Sequence, residues 1–447
     1  MKKLLAFLPL FAAAALAQPA IDSVSVRQDW PWSNGIVVDY VVSGATENGV
    51  DVSLVAFNGT ENLGPLTSFR SGSLFASKNG ANTVVIDPAA LPGTGASGLG
   101  AFQVEMDVLG EGDPLVDRVE YKIIDLLTHE VADVRRRDFY ENPQTYGAYT
   151  RDYSAVGPGF QSFLPPEDVF VWTGVNSNDV YKTDKLVLKL VPAKDEVWPF
   201  GPSADDTEAK PAGYWSYPVM GETRMQVKLT KDYYMGVFEL TQQQYFHLTG
   251  EWPSYFTNVA HRATLPVEWV DKTHQQFVEA VNAAHDYGFK VPTEAQWEYA
   301  AKAGCDGPGL PNGKTYSSEA FAELEGYSAT RGHSDRNAVT ATYKVGVGRP
   351  NAYGLFNMLG NISEWCSEEP QHNLASYYGG TPEPIVDPNV QTAAGQYGTH
   401  YGMFRGGNYN RLWWRYAQRF AILDGDIEKG WFYSQPLVGW RVIVEAE

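Results

Sequence analysis

Short segments with alternating apolar and polar positions fill the first part of the chain. Residues 36–42, 52–57 and 102–108 alternate in this way or are rich in β-branched side chains, and Gly, Asn, Ser and Pro separate them. A period of two residues bounded by turn formers is typical of half-buried strands. Residues 18–127 are therefore predicted to form an all-β sandwich.

The alternation weakens in the next segment. Residues 128–197 contain a stretch rich in Tyr, Gly and Pro without periodicity, and strand-like runs return at 168–172 and 186–191. Turn formers without periodicity are typical of connecting segments. We predict a connector with strands here.

Helical spacing dominates later in the chain. A helix is predicted over about 272–285. Its apolar stripe consists of Phe277, Val278, Val281 and Ala284. Thr293 and Gln296 have the spacing of a capping box and predict the start of the next helix. In that helix, Glu294 and Glu298 are interpreted as a cap and a buried partner, in preference to acids of an active site.

The first residues have the features of a secretory signal. Lys2 and Lys3 precede an apolar run over 4–16, and small residues end it at Ala17. The run is too short to span a bilayer permanently. We therefore predict a signal peptide over 1–17, cleavage after it, and a secreted or periplasmic protein.

Charge and hydropathy exclude two classes of function. The formal net charge is −19, which opposes general affinity for nucleic acid. After the signal, no stretch is long and apolar enough to cross a membrane, so we predict no integral membrane segment.

Separate sequence motifs in the second half of the chain follow one order. They are L-P-V-E-W from Leu265, V-P-T-E-A-Q-W-E-Y-A-A from Val291, G-L-F-N-M-L-G-N-I-S-E-W from Gly354, F-R-G-G-N-Y from Phe404 and G-W-R from Gly439. Together they resemble the formylglycine-generating enzyme, or sulfatase-modifying factor, family over about residues 198–447. The resemblance implies a C-type-lectin-like fold with two helices, small antiparallel sheets and much irregular structure.

The predicted fold class is therefore α+β. An immunoglobulin-like β-sandwich without the cysteine pair of a true immunoglobulin domain comes first, and a domain of the formylglycine-generating-enzyme type follows the connector. The first domain shows no catalytic constellation and is interpreted as a spacer or adhesion module.

The resemblance also implies a metal site. In this family the Gly-Asn-x-x-Glu motif binds calcium, which carries Asn361 and Glu364 over as side-chain ligands. The backbone carbonyls of Gly360 or Ile362 are the expected companions, since calcium takes oxygen ligands.

The two cysteines of the chain bear on both stability and chemistry. An even count in an exported protein predicts a disulfide between Cys305 and Cys366, which both lie beside family motifs. The family's oxidases bind copper(I) through two cysteines just after R-G-G-S-Y. Residues 408–415 contain none, so copper is not expected and no residue is predicted to be catalytic.

The C-terminal segment combines aromatic rings with arginines, which suits recognition of a glycan, a peptide or a protein. The predicted ligand-binding residues are Asn408, Tyr409, Arg411, Trp413, Trp414, Arg415, Arg419 and Trp431. Arg415 and Arg419 match an R-x-x-x-R pattern of the family that partly serves the fold there, so a role in the core is weighed above a ligand contact for these two.

These observations rank three functions. A non-catalytic ligand-binding module of the cell envelope comes first. An oxygen-dependent oxidase that converts a sulfatase cysteine to formylglycine is the alternative, and a structural envelope protein is the third hypothesis.

Overall fold

The structure is a computed structural model, and it divides the chain into two compact units, Met1–Asp117 and Arg118–Glu447. The described residues are 19–29, 31–45, 49–59, 61–66, 69–74, 77–91, 100–108, 118–141, 143–146, 149, 170–202, 224–257, 261–270, 274–303, 342–369, 371, 374–379, 384–391, 402–407, 419–422 and 438–446.

The first unit consists of two antiparallel sheets around one apolar core. Its strands are β1 Ala20–Gln28, β2 Ile36–Ser43, β3 Val52–Asn58, β4 Glu61–Pro65, β5 Gly80–Ile86 and β6 Phe102–Val108. The strand orders are β1-β2-β5 and β4-β3-β6. Alternate residues of both sheets, such as Val38, Tyr40, Leu54 and Val84, are buried together, as the period of two predicts. The immunoglobulin-like assignment stays a prediction.

The second unit contains both strands and helices. Its strands are β7 Val119–Asp125, β8 Val131–Arg135, β9 Lys185–Val191, β10 Val197–Phe200, β11 Met225–Lys228, β12 Tyr233–Gly236, β13 Ser363–Trp365, β14 Ile385–Val386, β15 Gly402–Arg405, β16 Phe420–Ile422, β17 Val438–Gly439 and β18 Ile443–Glu445. Its α-helices are α1 Arg136–Glu141, α2 Pro143–Tyr146, α3 Val180–Thr183, α4 Gln242–Thr249, α5 His274–His285, α6 Glu294–Lys302 and α7 Leu374–Tyr377. This mixture confirms the α+β class.

Within the described residues, three sheets organise this unit. The largest has the order β18-β12-β9-β7-β8, the second β16-β15-β13-β17 and the third β10-β11-β14. Thr293 and Gln296 form the predicted capping box at the start of α6. In α5, Phe277 and Val281 are buried, whereas Ala284 is exposed, so the apolar stripe is narrower than predicted.

The structure places the boundary between the two units before Arg118, whereas the predicted boundary follows residue 127. Strand β7 was assigned to the first domain and β9 to the connector, yet they pair antiparallel, with Ile123 opposite Val187. Both belong to the second unit, which begins at Arg118. The prediction failed because an alternating run identifies a strand without identifying the strand it pairs with.

The helices in the described part of the chain were compared with the requirements for a membrane span. None of the helices there combines the length and the apolar character that a bilayer span requires.

Candidate functional site

Two strands frame the segment for which ligand binding is predicted. Strand β15 pairs antiparallel with β16, with Gly402 opposite Ile422 and Phe404 opposite Phe420. Arg405 ends β15, and Arg419 directly precedes β16. The chain therefore leaves this strand pair after Arg405 and returns to it at Arg419.

One carboxylate on helix α6 holds both of these arginines. Nε of Arg405 lies 2.9 Å from Oε1 of Glu294, and Nη2 of Arg419 lies 2.7 Å from Oε2 of the same group. Burial raises the pKa of Glu294, but the positive charges of Arg419 and Arg405 outweigh it and hold that pKa below its ordinary value. Glu294 is therefore ionised and fixes both ends of the segment.

A second acid on the same helix extends this charge cluster. Nη1 of Arg405 lies 2.9 Å from Oε2 of Glu298, and Nζ of Lys302 lies 2.9 Å from Oε1 of Glu298. Glu294 and Glu298 are four residues apart on α6 and so share one face of the helix. Both acids are buried ion-pair partners, which confirms the predicted buried role, whereas the cap of α6 is Thr293 and not Glu294.

These contacts correct the prediction for Arg419. Its side chain is 1% exposed, and besides Glu294 it donates from Nη1 to the carbonyl oxygen of Gln371 over 2.9 Å. A guanidinium committed to a buried carboxylate belongs to the core, so Arg419 is not a ligand contact. In sequence, an arginine among aromatic residues cannot be distinguished from one that pairs inside the fold.

The remaining predicted ligand-binding residues cannot be compared with the structure. Asn408, Tyr409, Arg411, Trp413, Trp414, Arg415 and Trp431 lie outside the described residues. Their ligand-binding role stays a prediction.

Glu364 of the Gly-Asn-x-x-Glu motif forms a separate buried ion pair. Nε of Arg441 lies 2.8 Å from Oε1 and 2.9 Å from Oε2 of Glu364, and the indole nitrogen of Trp297 donates to Oε2 over 2.6 Å. Arg441 also donates to the carbonyl oxygens of Gly236 and Phe356, each over 2.8 Å. The G-W-R motif therefore ties the Gly-Asn-x-x-Glu turn to β12.

Asn361 is engaged by other groups of the protein. Its Nδ2 donates to Oε2 of Glu239 over 2.6 Å, and its Oδ1 accepts from the backbone nitrogen of Tyr343 over 2.8 Å. Its φ of +61° lies in the left-handed region, which Asn tolerates better than most residues. Ile362 donates its backbone N–H to Oε1 of Glu239 over 3.1 Å.

The predicted side-chain ligands therefore do not fit calcium as they are placed. Both oxygens of Glu364 face Arg441, whose charge neutralises them, and the Asn361 oxygen already accepts a backbone hydrogen bond. Calcium at this turn stays a prediction that rests on the carbonyls of Gly360 and Ile362.

Glu239 is a buried residue that the sequence reasoning missed. Burial, and next the negative charge of Glu364, raise its pKa well above the ordinary value. A single Glu within the apolar run 233–240 is the sequence signal for such a group. Its carboxyl group links the segment that follows β12 to the Gly-Asn-x-x-Glu turn.

Cys366 is a free, fully buried cysteine. Burial, and then the negative charge of Glu368, raise the pKa of its thiol well above the ordinary value. A protonated thiol is neither a nucleophile nor a copper(I) ligand. Because Cys366 is free, the structure does not show the predicted Cys305–Cys366 disulfide, and Cys305 itself lies outside the described residues.

A polar cleft of about 630 Å³ lies elsewhere on the second unit. Among the side chains that line it, Lys231 and Lys290 pair with Glu445 at 2.8 and 2.7 Å. Asp387 accepts from the backbone nitrogen of Thr230 over 2.9 Å. These polar groups satisfy one another through ion pairs and hydrogen bonds. We therefore interpret the cleft as a gap between packed segments and not as a ligand site.

The sequence of this chain is similar to a known protein family and to several characterised proteins. Residues 200–446 match the family model described as the sulfatase-modifying factor enzyme 1-like domain. A formylglycine-generating enzyme of Thermomonospora curvata is 34% identical over 97 residues, which are 21% of this chain and 32% of that enzyme. Chaperone protein LppX of Paenibacillus barcinonensis is 26% identical over 183 residues, covering 32% of this chain and 64% of the chaperone.

Both alignments span less than two thirds of the relative's length. Among solved structures, Treponema denticola variable protein 1 is similar at a TM-score of 0.41 and 20% identity, covering 59% of this chain and 96% of that one.

Proposed function

The chain belongs to the sulfatase-modifying factor enzyme 1-like domain family, whose model matches more than half of it, and from this premise we propose that it is a non-catalytic ligand-binding module. The observation that supports the proposal is that Arg405 and Arg419, the residues on either side of 406–418, are both held by buried ion pairs. Arg405 and Arg419 meet on Glu294, so the scaffold on either side of residues 406–418 is set by buried ion pairs. Binding residues are often found on loops that a rigid scaffold positions.

The composition of this segment supports recognition. Trp413, Trp414 and Arg415 lie within it, and Trp and Arg are the residue types that dominate binding energy at interfaces. A stacked ring contributes about 0.5–1.5 kcal/mol beyond its buried area. Micromolar affinity corresponds to about 8 kcal/mol, so burial of the apolar area of these rings has to supply what stacking does not.

The cysteines argue against oxidase chemistry. No cysteine follows Cys366 in the sequence, so the segment after Gly407 has no thiolate to offer a copper ion. The thiol of Cys366 is enclosed in the core, and burial keeps it protonated. The relatives named formylglycine-generating enzymes therefore share the scaffold with this chain, and we propose that it lacks their activity.

The remaining parts of the proposal concern location. We propose that residues 1–17 direct export and are removed, which makes the protein secreted or periplasmic. In this view the first unit, an immunoglobulin-like sandwich, is a spacer that presents the binding module at the cell envelope.

The experiment compares the exported full-length protein with a Trp414→Ala/Arg415→Ala double variant on glycan and peptide arrays. We expect the wild type to bind a defined set of ligands and the double variant to lose at least one class, with unchanged thermal melting. Trp32→Ala is the matched control, because Trp32 is 85% exposed and belongs to the first unit.

Two outcomes contradict the proposal. An unchanged array profile of the double variant removes this segment as the binding surface. Copper(I) binding with oxygen consumption on a sulfatase peptide containing C-x-P-x-R favours the oxidase instead.

A further inference from the structure

A pair of exposed aromatic rings lies in a part of the second unit that the proposed binding segment does not include. The side chains of Tyr255 and Trp269 are 57% and 41% exposed. Their ring centroids are 5.3 Å apart, with 61° between the planes. We call this pair the aromatic corner. Trp252, 36% exposed, lies three residues before Tyr255 on the same loop.

The backbone beneath the aromatic corner is strained. Trp269 has a φ of +60°, in the left-handed region, which costs free energy for a bulky residue. Since much of the ring is in solvent, core packing does not account for a Trp at this position. Strain that packing does not explain is a feature of functional positions.

A buried carboxyl group fixes the two rings relative to each other. Glu268, fully buried, accepts hydrogen bonds from the backbone nitrogens of Tyr255 at 3.0 Å and Phe256 at 3.1 Å. Its own backbone nitrogen donates to Oγ of Ser254 over 3.2 Å. The loop that carries Tyr255 is thus tied to the residue before Trp269. Such pre-organisation lowers the entropy that is lost when a ligand binds.

The size and charge of this surface indicate its ligand. The two rings of the aromatic corner offer on the order of 200 Å², whereas a stable protein interface needs about 800 Å² from each partner. The net charge of −19 opposes an anionic ligand. A short ligand without negative charge remains, and among such ligands the exposed rings favour one with an apolar face.

A sugar ring has the required two-sided character. One face of a pyranose consists of C–H groups that pack against an aromatic ring, and its hydroxyl groups stay in water at the edge. The guanidinium of Arg262 lies 4.0 Å from the centroid of the Trp252 ring, so Trp252 is engaged within the protein and is not counted in this surface. We propose that the aromatic corner binds a neutral oligosaccharide.

The experiment titrates the full-length protein with maltohexaose, cellohexaose and laminarihexaose by isothermal calorimetry. Trp269→Asn removes the ring and places a residue that tolerates the left-handed backbone. We expect it to weaken binding of the recognised hexaose at least tenfold while the melting temperature stays equal or rises. Tyr255→Ala should weaken binding to a similar extent.

Two controls keep this site separate from residues 406–418. Trp32→Ala controls for loss of an exposed ring and should leave hexaose affinity unchanged, and Trp414→Ala/Arg415→Ala shows whether residues 406–418 hold the sugar instead. If the double variant loses hexaose binding and Trp269→Asn keeps it, the ligand sits at residues 406–418 and the inference is wrong. It is equally wrong if the wild type binds none of the three sugars, or binds a proline-rich peptide in their place.

Discussion

The two units of this protein bury different kinds of core. In the first unit, the buried cluster consists of aliphatic and aromatic side chains from both sheets, and ion pairs such as Arg27–Asp39 are half-exposed. In the second unit, Glu294, Glu364 and Glu120 form ion pairs that are almost completely buried. Among the described ion pairs, those of the first unit are partly exposed, whereas the second unit also contains pairs that are almost completely buried.

The difference follows from the regularity of the backbone. In the first unit, strands of five to nine residues fix their register through backbone hydrogen bonds, so apolar packing suffices to complete the fold. In the second unit, several strands are only two to four residues long and long connections join them. Strands this short form few backbone hydrogen bonds. Directional hydrogen bonds from buried arginines therefore help to hold the segments in place.

Glu120 forms a buried ion-pair cluster of the same kind in the five-stranded sheet. It pairs with Lys189 on the neighbouring strand and with Arg136. Burial raises its pKa, but the charges of Lys189, Arg136 and Arg118 outweigh this and hold it at about 2. Adjacent segments are thus joined by a carboxylate that stays ionised at every physiological pH.

The largest expected effect comes from removing one buried acid. Glu294→Ala leaves Arg405 and Arg419 without their shared carboxylate, and an uncompensated buried charge costs about 3–5 kcal/mol. We expect denaturant unfolding to show the transition of the second unit at much lower denaturant while that of the first unit stays in place. Glu279→Ala on the exposed face of α5 is the matched control. A loss below 1 kcal/mol would show that the ion pairs do not distinguish the two cores.

The next effect is a change of the unfolding free energy with pH, and it arises from the buried carboxyl group of Glu268. Burial raises the pKa of Glu268 to about 7, against backbone donors on Phe256 and Tyr255 that lower it. Because the folded-state pKa exceeds the unfolded value of 4.5, folding favours the protonated form. Its contribution is complete below about pH 4.5 and is lost as the pH rises towards 7. The change is on the order of 3 kcal/mol.

Unfolding free energies of wild type and Glu268→Gln between pH 4 and pH 8 test this linkage. The variant carries no titrating group at this position, so the difference between the two proteins should grow in its favour as the pH rises. Glu279→Gln should follow the wild-type curve. A constant difference across the range would mean that folding does not raise the pKa of Glu268.

A small effect is expected from an ion pair of the first unit. Arg27 and Asp39 are 57% and 37% exposed, and such pairs contribute about 0–1 kcal/mol. Hydrogen bonds from Thr83, and next from Arg27, lower the pKa of Asp39. Arg27→Ala should therefore shift the first transition by less than 1 kcal/mol at low salt, and less still at 1 M salt. A larger, salt-independent loss would show that the first unit also depends on charge.

The sequence revealed the features that local chemistry determines. Thr293 and Gln296 predicted the start of α6 because a capping box needs only residues three apart. The alternation in β2 and β3 predicted their buried faces for the same reason. Family membership also followed, since the motifs keep their order along the chain.

Features that depend on distant partners were missed or misassigned. The bond from Arg405 to Glu294 joins residues 111 positions apart, and no local pattern specifies it. Arg419 was assigned to a ligand surface because its partner was invisible in the sequence. The left-handed backbone of Trp269 gave no signal either, because Gly or Asn normally marks such positions.

The smallest expected effect concerns the Gly-Asn-x-x-Glu turn. If Arg441 neutralises Glu364 as the structure shows, the turn is held by protein groups and chelation has little to remove. EDTA should then shift the melting of the second unit by less than about 1 °C, whereas Glu364→Ala leaves Arg441 unpaired and lowers it by many degrees. A fall of several degrees with EDTA that added calcium reverses would instead restore calcium as a ligand of this turn. In that case the second unit would be held together by a metal ion as well as by its buried charge pairs.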